Sequence, residues 1–158
     1  MKRRSRRALG RQAHSRYLVF ISHSSVDAWT AKQIKKQIQA AGAQTFLSEI
    51  DVEGGDEIGV RMKVAMRKAH ECLVLYTPEA AQSKNVWLEI GAAWMAGKRV
   101  VLVLSRMSMD EVTGDARFPP YLKSLDFSDL NVNFDSTYIP SLQRRITRRR
   151  GPKPTTRR

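Results

Sequence analysis

"ECLVLYTPEAAQSKNVWLEIGAAWMAGKRVVLVLS", residues 71–105, decides the fold. Its two ends, "ECLVLYT" and "KRVVLVLS", are almost continuously apolar and rich in β-branched residues, the pattern of strands buried on both faces. Between them "VWLEIGAAWMAG" reads as a helix, with Trp87, Ile90, Gly91 and Trp94 at helical spacing along an inner face. Strand, helix and strand in this order imply a right-handed βαβ unit and parallel pairing.

Outward from that unit the alternation continues. "RYLVFISHSS" places a strand at about 17–22, followed by a polar loop. In "SSVDAWTAKQIKKQIQAAG" a cap at Ser24, Ser25 or Asp27 precedes Trp29, Ile34 and Ile38, with Ala31 and Ala41, at helical spacing, and Gly42 ends the run. "AQTFLS" is a second strand. "DEIGVRMKVAMRKAH" is a helix with Ile58, Met62, Ala65, Met66 and Ala69 on its inner side. After Ser105 the signal weakens, and "FPPYLKSLDFSDLN" reads as a loop, a short helix and a fifth short strand at 125–130. "STYIPSLQRRITRRR" closes the pattern as an amphipathic helix. The expected class is α/β, with a central parallel sheet between helical layers.

The formal charge is +13, but it is not evenly spread. Residues 1–16 hold seven Lys or Arg and no acid, and residues 144–158 hold eight and no acid. All 15 acidic residues lie between, against 13 basic ones. Three segments follow: a basic disordered tail at 1–16, a folded domain at 17–146, and a second basic disordered tail at 147–158. The tails offer non-specific contact to nucleic acid or anionic surfaces. One cysteine, Cys72, excludes an intrachain disulfide. No apolar run approaches the length of a membrane span and no secretory leader is present, so a cytoplasmic protein is expected.

In open parallel sheets, ligands bind outside the carboxyl ends of the strands. "SHSSVD", "SEIDVEGGDE" and "TPEAAQSKNVWLE" meet there. Glu89 stands among apolar residues in the early part of its helix, near that crevice. Pattern alone leaves it open between a solvent-facing residue and a member of a site. His14, His23, His70 and Cys72 show no metal-ligand spacing, so no metal is expected. The hydroxyls of Ser22, Ser24 and Ser25 have no His/Asp pair at a triad spacing.

The order and spacing of "YLVFISHSSVD", "FLSEIDVEGGDEIGVRMKVAMRKAHECLVLYTPEA" and "SKNVWLEIGAAWMAGKRVVLVL" resemble the TIR (Toll/interleukin-1 receptor) domain family, most closely its bacterial branch, over about residues 17–130. The resemblance implies a flavodoxin-like three-layer sandwich with a central five-stranded parallel sheet. It makes the loop at 48–57 the family's BB loop, which lies over a nucleotide site and mediates assembly. It implies NAD+ glycohydrolase activity at the nicotinamide–ribose bond, with a cyclic ADP-ribose as a further product, in antiphage defence or immune signalling. NAD+ is then the substrate, and no cofactor is required. Glu89 falls at the position of the family's catalytic glutamate. Enzymatic members often carry a Trp four residues earlier, where this chain has Asn85; its Trp is at 87. Ser22, His23, Ser24, Asp27, Gly55, Asp56, Ser83 and Trp87 are the expected substrate contacts, with Gly54 in the same loop. Self-association through TIR–TIR contacts and a partner effector protein are the expected interactions. The alternatives are a non-enzymatic TIR–TIR adaptor and a nucleoside deoxyribosyltransferase-like enzyme.

Overall fold

Five short strands pair in parallel in the order β2-β1-β3-β4-β5. They are β1 (Leu18–Ser22), β2 (Gln44–Leu47), β3 (Glu71–Tyr76), β4 (Arg99–Leu104) and β5 (Asp126–Asp129). Between and after them run α1 (Ala28–Ala40), α2 (Gly55–Lys68), α3 (Lys84–Met95), α4 (Met109–Gly114) and α5 (Ile139–Arg150). A computed structural model describes residues 16–48 and 55–150 of the chain. The expected three-layer architecture is present, and it follows from the strands. β3 and β4 are buried along nearly their whole length, so each face needs a helical cover.

The alternation of side chains sorts the core into two halves. Phe20, Cys72, Val74, Val100 and Leu102 face α2, α3 and α4. Val19, Ile21, Leu73, Leu75, Val101 and Val103 face α1 and α5. At the amino end of the sheet Glu71, fully buried, accepts hydrogen bonds from Tyr17 (2.7 Å), Tyr138 (2.5 Å) and Arg145 (Nε, 2.8 Å). These contacts join α5 to β1 and β3. α5 runs through Arg150, so the folded body extends past residue 146.

Three details differ from the sequence reading. Trp29 is 73% exposed and not on the inner face of α1, which is Ala31, Ile34 and Ile38. It stands five residues before Ile34, about 140° around the helix. The inner face of α3 is Val86, Glu89, Ile90 and Ala93, one residue out of step with the expected Trp87, Ile90, Gly91 and Trp94. Small Val86 and Ala93 let the helix approach the sheet closely, while Trp94 swings outward onto Tyr121 (ring centroids 4.9 Å). The third difference is α4, a helix hidden in the weak-signal region. Its signature is Ser-x-x-Glu at 108–111: the Ser108 hydroxyl accepts from the Glu111 amide while the Glu111 carboxylate accepts from the Ser108 amide.

Candidate functional site

β1 carries Ser22 to its carboxyl end on the same face as Phe20, toward α3. β2 does the same for Ser48, two residues beyond Phe46; the Ser48 amide donates to the Ile21 carbonyl at 2.9 Å and prolongs the ladder. Glu89 descends from α3 onto this spot. Val86, Glu89, Ile90 and Ala93 lie at i, i+3, i+4 and i+7, so helical periodicity that buries the apolar three must bury the carboxylate too. Glu89 is 3% exposed.

The carboxylate is only half satisfied. The Ser48 hydroxyl donates a short hydrogen bond to Oε1. Oε2 is buried and has no hydrogen-bond partner among the described residues, and the same holds for the Ser22 hydroxyl. Burial raises the Glu89 pKa, and the Ser22 and Ser48 hydroxyls beside it pull it partly back. Ser22 therefore lies close enough to favour the ionised carboxylate without the geometry of a hydrogen bond. A buried charge with an open lone pair costs stability, and such groups concentrate where chemistry is done.

His23 follows at once. Its Nδ1 lies 2.6 Å from the Ser24 carbonyl, an acceptor only, so Nδ1 carries a proton and donates it there. Nε2 is buried and unpartnered among the described residues. Asp27 has a different character. It accepts from Ser24 (2.5 Å), Thr77 (2.6 Å) and Arg106 (3.1 Å). Arg106 also grips Glu79 with both terminal nitrogens and holds that carboxyl down at about 2. Arg106 has φ 61°, the left-handed region, which costs a side-chain-bearing residue roughly 1–2 kcal/mol. Its two carboxylate partners hold it there. The network fastens the loops after β1, β3 and β4 to one another at the carboxyl end of the sheet.

Ser83 caps α3, accepting from the Val86 amide at 3.3 Å. With Ser24, Ser25, Glu79 and Asn85 it lines an open depression of about 240 Å³. Trp87 is turned away from the carboxylate's surroundings. Its indole donates to the Ala81 carbonyl (2.9 Å) and its ring packs edge-on against Tyr76 and Phe118. Gly55 opens α2. The side chain of Asp56, Gly54 and the loop at 49–54 lie outside the described residues, as do His14 and both tails.

The structure thus brings Ser22 and Glu89 together and places His23 directly after Ser22. It groups Ser24 and Asp27 in the loop network, and sets Ser83 at the rim and Trp87 in the core. Ser48, Thr77 and Arg106 escaped the sequence reading. Ser48 had a signal: it shares the parity of Phe46 just past an apolar run. A lone Arg after a strand gives none. Cys72 is fully buried, and burial, with Glu89 and Glu71 nearby, pushes its thiol far up; it packs as core. Among the described residues no cluster of His, Cys, Asp and Glu suits a metal ion, and no helix is long and apolar enough to cross a membrane.

A family model described as "TIR domain" matches residues 19–140. No curated protein sequence matches the chain. Among solved structures it is similar to the TIR domain of the Toll-related receptor TRR-2 from Hydra magnipapillata, at 16% identity and a TM-score of 0.62, covering 82% of this chain and 97% of that one. It is also similar to the TIR domains of the activated Roq1 resistosome, at 15% identity and a TM-score of 0.59, covering 84% and 98%. A third similar structure is the CMP N-glycosidase BcmB of Clostridium botulinum, at 15% identity and a TM-score of 0.52, covering 79% and 97%. At these identities the likeness is one of fold.

Proposed function

The chain belongs to the TIR domain family, and from that premise we propose that it is an NAD+ glycohydrolase whose catalytic carboxylate is Glu89. The observation that carries this reading is the half-satisfied, buried carboxylate at the carboxyl end of the sheet: one oxygen on Ser48, the other without a partner among the described residues.

A single carboxylate suits this bond. Ordinary glycoside hydrolysis needs a second one to protonate the leaving group. In NAD+ the nicotinamide ring is already cationic and departs as a neutral base. What remains is to stabilise the oxocarbenium-like ribose. A buried Glu89 does this across a low-dielectric gap, where a fixed negative charge acts far more strongly than in water. The open Oε2 accepts from a ribose hydroxyl or faces the developing cation. The approaching cationic ring favours the ionised carboxylate and so opposes the effect of burial. Ser22 and Nε2 of His23, both without a hydrogen-bond partner among the described residues, supply further polar contacts. The Ser24–Asp27 network holds their loop, Ser83 lies at the rim, and Gly55 and Asp56 stand at the start of α2. Trp87 supports α3 from below. NAD+ is substrate here, with no resident cofactor.

On this reading the chain groups with the bacterial branch of the family. It works in the cytoplasm in antiphage defence or immune signalling, releasing ADP-ribose or a cyclic isomer, self-associates through TIR–TIR contacts and signals to a partner effector. The test is incubation of the purified chain with NAD+, and separately with CMP, followed by chromatography for nicotinamide, ADP-ribose isomers and cytosine. Nicotinamide release by the native chain and its loss in Glu89→Gln is the expected result. NAD+ left intact at micromolar protein would overturn the reading, and cytosine release from CMP alone would replace it with a nucleotide N-glycosidase.

A further inference from the structure

The two helical layers differ sharply in charge. α1 and α5 cover one face of the sheet, where Ile34, Ile38, Leu142 and Ile146 share a core. Together these two helices hold eight Lys or Arg and no Asp or Glu. On the opposite face α2, α3 and α4 carry five basic and five acidic residues, which cancel. Of the eight cations, Arg145 is committed to the buried Glu71. Lys32 and Lys36 are exposed one turn apart on α1, and Arg144 and Arg148 are exposed one turn apart on α5. Among the described residues none of these four is held in an ion pair. An acid on this side, Asp135, is tied to Gln37 of α1.

We propose that the α1/α5 face is a binding surface for the phosphate backbone of double-stranded nucleic acid, without base specificity. Lys32, Lys36, Arg144 and Arg148, exposed on two helices that carry no carboxylate of their own, make a field that attracts polyanions. α5 uses only arginine, whose guanidinium fork matches a phosphate better than an ammonium does. A lipid surface is the poorer fit. An interfacial helix needs an apolar face free to enter the bilayer, whereas Leu142 and Ile146 of α5 are buried in the core. A single strand is also the poorer fit, because stacking platforms need several aromatics. The outer side of these two helices offers one, Trp29. α5 leads directly into residues 151–158, which add three Lys or Arg and no acid. Glu89 lies on α3 in the opposite layer, so occupation of this face leaves the carboxylate untouched.

The test uses the full chain and a short labelled duplex of random sequence, followed by fluorescence anisotropy across a series of salt concentrations. The combined variant K32Q/K36Q/R144Q/R148Q is compared with R61Q/K63Q/R67Q/K68Q on α2, and with R3Q/R4Q/R6Q/R7Q near the amino terminus. All are checked by circular dichroism and melting. The first variant should weaken duplex binding at least ~10-fold and reduce the salt slope by about 3–4, at about 0.9 per lost phosphate contact. The α2 variant should change affinity by less than ~3-fold, and melting temperatures should stay close to native. Native-like duplex binding by the first variant, with loss confined to R3Q/R4Q/R6Q/R7Q, overturns the proposal in favour of the amino-terminal segment. Preference for phosphatidylserine vesicles over duplex overturns it in favour of a membrane. Tighter binding of single strands, abolished in Trp29→Ala, overturns it in favour of base stacking.

Discussion

Glu89 is costly to keep in the absence of substrate, and that cost can be measured. Burial raises its pKa in the folded chain above the ordinary value of 4.5. Between the ordinary and the raised value the folded state binds more protons than the unfolded state. Stability therefore falls as pH rises through that window and stays reduced above it. Glutamine cannot ionise. Glu89→Gln should melt higher than the native chain at neutral pH, and the gap should close as pH falls below the ordinary glutamate value. Melting curves from about pH 4 to 8 check this; a gap independent of pH would show that the carboxylate is not a strained ion. The same variant should lose at least ~100-fold in kcat for NAD+ cleavage, as a lost transition-state interaction of about 2.7 kcal/mol predicts. Ser48→Ala removes the hydroxyl that favours ionisation. It should shift the acid limb of the kcat profile to higher pH while sparing the rate on the alkaline side, and an unmoved limb would free Ser48 from that role.

At the level of elements, α5 is held by a polar lock as well as by Leu142 and Ile146. Arg145 reaches Glu71, which is fully buried and also takes two tyrosine hydroxyls. Removing one partner of a buried pair leaves the other charge uncompensated, at a cost of about 3–5 kcal/mol. The two tyrosines keep Arg145→Ala near the lower end, so its melting temperature should fall by roughly 6–12 °C, at about 2–4 °C per kcal/mol. A drop of less than about 2 °C would mean that the tyrosines alone satisfy Glu71. The alternation of helix and strand from β1 to β4 was legible because β3 and β4 are apolar after their first residue and Gly42 and Gly97, both at positive φ, follow α1 and α3 where their patterns stop. α4 was legible in principle through its capping box. It went unread because six residues with one buried apolar side chain, Val112, give no periodicity.

For the molecule as a whole, the burial of Glu89 has a consequence for regulation. A carboxylate 3% exposed is closed to a ribose, and the open depression near Ser83 is not lined by it. Under the proposed activity, substrate must displace whatever covers Glu89. If TIR–TIR contacts stabilise the open form, they shift its population by mass action. Specific activity should then rise faster than linearly with protein concentration from nanomolar to tens of micromolar. A flat response would identify a constitutive single-chain enzyme.

The sequence by itself determined the layered α/β class, the parallel pairing and the meeting of the segments after β1 and β3 at the carboxyl end of the sheet. These rest on local hydrophobic period and on turn residues, which each segment carries alone. It also determined that Glu89 lies near that end. Only the tertiary structure decided that Glu89 points inward. One residue of helical phase separates the expected face of α3 from the real one, and that phase is set by how closely Val86 and Ala93 let the helix approach the sheet. Only there does Ser48, 41 residues away in the chain, become the carboxylate's partner. Arg106 likewise acquires meaning only when three loops fold to one edge, because a long-range ion pair leaves no periodic trace in either partner's own segment.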